Sequence, residues 1–245
     1  MSFFISFWQL YLYQPLVNFL IYLYNTIADQ NLGFAVVYLT VSLRVALLPF
    51  SILSERNKVV YKKMEEQIEE AQRVHRADPV YVKEYIRSLM KKHKMRPWAK
   101  TGELAIQLLV LVLLYQVFIT GVQGLQLSRI LYKSIDYPGR INTVFLTVPP
   151  LFDSGDFVFD VAQRNAVAAG IVAFILFTDI FVGLKHAKRK LDGADLTYLF
   201  LFPLVSGLIL WWLPMVKSLF ILTSILFTYV ISLLGMVFWS KKQDT

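Results

Sequence analysis

Cysteine is missing from all 245 residues. That absence excludes disulfides, Cys-ligated zinc, thiol catalysis and lipid attachment through an N-terminal Cys. Charge is also scarce: 17% of the residues are Asp, Glu, Lys or Arg, against about a quarter in soluble domains. The first 32 residues contain no Lys or Arg, so the positive start of a signal peptide is not there and none is expected. A Gly-rich phosphate loop, an HExxH pair and a metal-ligand cluster are all absent. The three histidines, His75, His93 and His186, fall in basic stretches and none lies in an apolar run. A Ser–His protease site within the bilayer is therefore excluded. No enzyme, cofactor or metal is expected.

What the chain does have is apolar length. Hydrophobic residues make up 56% and the mean hydropathy is +0.53, which describes an integral membrane protein with several spans. The reading is an all-α polytopic protein with five transmembrane helices, an N-terminal interfacial helix and a cytoplasmic helical hairpin. Spans are expected at 31–53, 104–120, 166–184, 196–213 and 214–240, each holding close to the 20 or so apolar residues a bilayer requires. Residues 1–30 are apolar but dense in aromatics and interrupted by Pro15, with Gln14, Asn18 and Asn25 recurring at helical spacing. Such a segment favours the headgroup region over the hydrocarbon; a sixth span is the alternative.

The formal net charge is +8, but its distribution says more. Thirteen of the 25 Lys and Arg lie in 54–100, from Arg56 to Lys100; a second cluster is Lys185, Lys188, Arg189 and Lys190, and Lys241–Lys242 form a third in the tail, 241–245. These clusters follow the first, third and fifth spans. Positive-inside then puts the N-terminus outside, the C-terminus and the 185–195 loop in the cytoplasm, and 121–165 outside. The clusters also attract anionic lipid; specific nucleic-acid binding is not expected.

Residues 54–100 form their own unit. Val60, Met64, Ile68, Ala71 and Val74 recur at three- and four-residue steps, marking one helix face. Asp78-Pro79 supplies an N-cap and a first-turn proline, and a second helix follows with Val82, Ile86 and Leu89 on one face. The plain alternative to a working hairpin is a solvated spacer.

Arg44 is the leading site candidate. It sits within GFAVVYLTVSLRVALLPFSIL (33–53), a run otherwise free of charge. A guanidinium at the centre of a span costs about 2.5–3.5 kcal/mol on insertion scales, and Arg does not escape by losing its proton. Other polar residues collect towards the same side: Glu103 at the mouth of the second span, Gln107 one turn deeper, Asp179 near the end of the third and Ser232 in the inner half of the fifth. Gln116 lies further along the second span. The pattern suits a wet cavity open to the cytoplasm. Three alternatives stay open: a fixed Arg44–Asp179 or Arg44–Glu103 pair in an assembly subunit, an anion transporter or channel built on Arg44, and plain interhelical hydrogen bonding by Gln107 and Gln116.

The run YQPLVNFLIYLYN (13–25), then LGFAVVYLTVSLRVALLPF (32–50), a basic helical hairpin and a Gln-containing span resemble the YidC family of membrane protein insertases. Arg44 with Pro49 is the most specific point, and FLTVPPL (145–151) also fits. The resemblance implies insertion and folding of nascent membrane proteins, a hydrophilic groove in the inner leaflet with Arg44 at the groove arginine's position, a mobile cytoplasmic hairpin, and partnership with ribosomes or the Sec translocon. The chain departs from the family where an Asn-Pro and a Gly-Cys-Leu-Pro-like entry to the second span are usual. It has Arg96-Pro97-Trp98 and then Thr101-Gly102-Glu103. A large outer domain and a long basic tail are not expected either.

Overall fold

Three apolar stretches become helices long enough to cross a bilayer: Ala166–Lys185, Asp195–Trp212 and Val216–Leu233. A fourth candidate is the pair Leu32–Ala46 and Leu48–Ser54, bent by 61° at its break. A shorter apolar helix, Leu104–Phe118, lies within a longer one. The computed structural model describes residues 2–75, 78–95, 98–120, 125–149, 157–186 and 193–240, and it is mostly helical. The elements in order are α1 (Ser2–Phe7), a π-helical turn (Trp8–Tyr13), α2 (Gln14–Thr26), α3 (Leu32–Ala46), α4 (Leu48–Val74), α5 (Pro79–Lys92), α6 (Trp98–Thr120), α7 (Leu125–Ile130), β1 (Val144–Val148), β2 (Phe157–Asp160), α8 (Ala166–His186), α9 (Gly193–Trp212) and α10 (Val216–Ser240). They divide into two units, Met1–Ser42 with Val110–Phe227, and Leu43–Leu109 with Thr228–Thr245.

In the first unit, α2 buries Leu16, Val17, Leu20, Ile21, Leu23 and Tyr24. Its polar stripe is spent on backbone. Asn18 Nδ2 donates to the Ile130 carbonyl at 3.1 Å, and its Oδ1 accepts from the Tyr132 amide at 2.6 Å. Gln14 Nε2 also reaches the Ile130 carbonyl, and Asn25 Nδ2 reaches that of Asp136. Chain leaving α7 has no ladder partner of its own, so these amides satisfy groups that would otherwise be costly to bury. Asn31 then caps α3 by accepting from the Gly33 amide at 2.9 Å, while its Nδ2 donates to the Val144 carbonyl at 3.0 Å. Gly33 has no alternative here, because a Cβ would overlap the Phe145 ring.

The 121–165 region is not wholly irregular. β1 and β2 pair antiparallel, Leu146 with Phe159 and Val148 with Phe157, with a register shift between Val144 and Leu146. These strands depart from the all-helical reading. Both are rich in β-branched and aromatic residues, which suit a pleated surface. Residues 121–124 and 150–156 of that region, the 187–192 loop and the tail lie outside the described residues. Chain after β2 is tied to the start of α10 by the Met215 amide on the Gln163 carbonyl (2.7 Å) and the Val216 amide on the Val161 carbonyl (3.0 Å). α8 and α9 pack antiparallel through small residues: Ala169 and Val172 bury against Leu210, and a Cβ at Gly207 would lie 2.9 Å from that of Ala173.

In the second unit, helix breaks and restarts at Leu47. Pro49 has no N–H to extend the α3 ladder, and the Leu47 carbonyl accepts from both Phe50 and Ser51 at 3.0 Å to begin α4. Met64 and Ile68 of α4 bury against Leu89 of α5, flanked by Val60, Tyr85, Ile86 and Met90. The stripe ends at Ala71; Val74, which shares its period, is 63% exposed at the end of α4. Asp78 caps α5 by accepting from the Tyr81 amide at 3.0 Å.

Candidate functional site

Arg44 lies in the last turn of α3 and is 7% exposed. Its Nη2 donates to Gln107 Oε1 at 2.9 Å. Both residues belong to the second unit, and the bond joins α3 to α6 across 63 positions of sequence. Gln107 is neutral, so this bond orients the guanidinium without removing its charge. A turn above, Thr40 is fully buried and returns its hydroxyl to the Val36 carbonyl at 2.7 Å, the usual way for a helix to silence a hydroxyl in apolar surroundings.

The other candidates fall in different places. Glu103 is on α6, one turn from Gln107, and its side chain lies outside those described. Ser232 is half-buried on the part of α10 that belongs to the second unit. Gln116 belongs to the first unit, where its Oε1 accepts from Trp8 Nε1 at 2.7 Å. That bond ties α6 to the π-helical turn. Asp179 is exposed on α8, also in the first unit. Thus Arg44 and Gln107 are brought into direct contact, and Gln116 has a partner that sequence spacing did not suggest.

A further buried cation escaped the sequence reading. Lys217, in the first turn of α10, is 3% exposed, and its Nζ lies 3.4 Å from the centroid of the Tyr115 ring on α6. Cation–π contacts contribute about 0.5–1 kcal/mol at exposed sites and about 2 or more when desolvated. Beside it, Ser218 is 2% exposed, and its Oγ has no hydrogen-bond partner among the described residues.

With this geometry in hand, the relatives are informative. The family model described as 60Kd inner membrane protein matches residues 22–242. The chain belongs to that family, the YidC family. Similar proteins include the membrane protein insertase YidC of Magnetococcus marinus, 28% identical over 116 residues, which cover 47% of this chain and 20% of the relative. The membrane protein insertase YidC of Clostridium tetani is 25% identical over 122 residues, 46% of this chain and 56% of the relative. That of Fusobacterium nucleatum is 25% identical over 114 residues, with the same two shares. The aligned stretch therefore spans little more than half the length of these relatives at most. Family membership and the apolar helices together make this a multi-pass membrane protein.

Proposed function

We propose that the chain is a membrane protein insertase, taking nascent membrane proteins through a hydrophilic groove in the cytoplasmic leaflet. The observation that carries the reading is Arg44, a charge 7% exposed within an apolar helix, in a chain matched to this family over 22–242. In this reading five segments span: α3 with the start of α4, then α6, α8, α9 and α10. The N-terminus is outside, and α4–α5 project into the cytoplasm as the basic clusters require. The rod of α1 and α2 lies in the interface. Ribosomes, the Sec translocon and anionic lipids are the partners.

The physical steps are few. An acidic or polar tail is drawn to Arg44, where a low local dielectric strengthens the attraction relative to water. Gln107 holds the guanidinium fork in a fixed orientation. The apolar segment next to that tail then slides into lipid, driven by burial at about 25 cal/mol per Å². Glu103 and Ser232, of the same unit, supply further polar edges of the path.

The test is insertion of a single-span protein with an acidic N-terminal tail into liposomes containing only this chain. A hydrogen bond to a charged group is worth about 1.5–3 kcal/mol, so Arg44→Ala should slow insertion about tenfold or more. Arg44→Lys should keep part of the rate, since a point charge remains without the fork. Wild-type rates for Arg44→Ala would refute the groove mechanism.

A further inference from the structure

Beneath the β1–β2 hairpin lies a partly open cavity of about 190 Å³. Phe145 and Phe159 of the hairpin, Ala168 and Ile171 of α8, and Ser218 and Leu222 of α10 line it. All six belong to the first unit. The lining is apolar except at Ser218, whose buried Oγ has no hydrogen-bond partner among the described residues. The Ser218 hydroxyl itself is enclosed, so what the cavity presents to an occupant is apolar.

The rim of the cavity adjoins exposed apolar surface on a candidate membrane span. Ile171 is 44% exposed, and only 17% of the α8 span is buried. The hairpin above carries Leu146, Val148, Phe157 and Val158, each between 40% and 48% exposed. A water-filled cavity would need several polar partners for each water, and the surface of this one is almost wholly apolar. A cavity of about 150 Å³ with an apolar lining already takes up benzene. A transmembrane helix, about 10–12 Å across with its side chains, is too wide to enter. A single hydrocarbon chain fits.

Depth selects the chemistry further. Ala168 and Ser218 are the third residues of α8 and α10, about 3 Å along from each helix start. At the edge of the hydrocarbon a glycerophospholipid carries its ester carbonyls. Ile171 and Leu222 lie one turn deeper, where its acyl chain runs.

We propose that this cavity binds one acyl chain of a membrane glycerophospholipid from the leaflet on the hairpin side, with its ester carbonyls at the level of Ser218. The lipid completes the packing between the β-hairpin and the two helices beneath it. This site is independent of the Arg44 reading and of any insertion activity.

The experiment uses the full chain in vesicles of phosphatidylcholine containing a trace of the same lipid with a diazirine in its acyl chain. Irradiation followed by peptide mapping should place cross-links on segments holding Ala168, Ile171 and Leu222. Ala168→Phe fills the cavity and should lower that labelling about tenfold, as expected when the burial of a few methylenes is lost. Ser218→Leu should do the same by occupying the space. Labelling of Leu204 and Leu208, 60% and 53% exposed on α9, should not change in either variant, which distinguishes a filled cavity from a misfolded chain. Cavity labelling no stronger than that of α9 in the wild type overturns the proposal, as does labelling that survives both substitutions. Displacement of the lipid by an added single-span peptide would assign the cavity to protein instead and likewise overturn it.

Discussion

An ammonium taken out of water and set against hydrocarbon costs several kcal/mol unless something compensates it. For Lys217 the Tyr115 ring at 3.4 Å is the compensation in view, and the two residues therefore contribute with opposite sign. Tyr115→Leu keeps the charge and removes the ring, and should destabilise the protein by about 2 kcal/mol. Lys217→Met removes both the cost and the contact, and should leave stability unchanged or raise it by about 1 kcal/mol. Unfolding in mixed micelles, followed by tryptophan fluorescence, measures both; the reverse order would show that Lys217 has stronger partners than the ring. The contrast with Arg44 explains what a sequence can reveal at this scale. Arg44 interrupts an apolar run in its interior, so its cost is visible from composition alone. Lys217 stands three residues after Pro214, at the start of an apolar run, where a lysine ordinarily marks the water boundary. Its burial depends on α6, a distant element. For the same reason Gln107 was legible as a polar group within a span, whereas its bond to Arg44 was not, and the Trp8 partner of Gln116 left no trace in spacing.

At the scale of elements, local chemistry accounts for most boundaries. Asp78 and Pro79 start α5 because one accepts a first-turn amide and the other has none to leave unpaired. The Met64, Ile68 and Ala71 stripe was readable because helical period and burial coincide there. The strands escaped the sequence reading because they are five and four residues long, too short for alternation to stand out, even though Pro149-Pro150 and Ser154-Gly155 are turn signals in the sequence between them. The break at Leu47 was also missed: Pro49 lies so near the end of the first apolar run that the run reads as a single span. The α4–α5 core is small, with Met64, Ile68 and Leu89 as its buried members. Ile68→Asp would bury a carboxylate there, and its desolvation cannot be repaid by apolar neighbours such as Met64 and Leu89. Hydrogen exchange should then show α5 opening by at least about tenfold more readily, as expected of an element at the low-stability end of the molecule, with α8 and α9 unaffected. Slow exchange retained in α5 would mean that contacts beyond this core hold it.

For the molecule as a whole, charge placement rather than helix count gives the expected topology. A chain without cysteine allows a direct check. Single cysteines at 107 and 179 should react with an impermeant thiol reagent added from the cytoplasmic side, while those at 38 and 114 should stay protected. Leu114 is fully buried, so its protection also reports that the helices remain packed. Labelling of 38 and 114 from the opposite face would point to a continuous channel in place of the proposed groove. One feature of the second unit bears on how such a molecule could be worked from outside. α4 runs without interruption from Leu48 to Val74, 27 residues, about 40 Å at 1.5 Å per residue. Its first turns belong to the apolar run and its far end to the α5 pair. A force applied at the tip would reach the break at Leu47, three residues from Arg44, multiplied by an arm of that length.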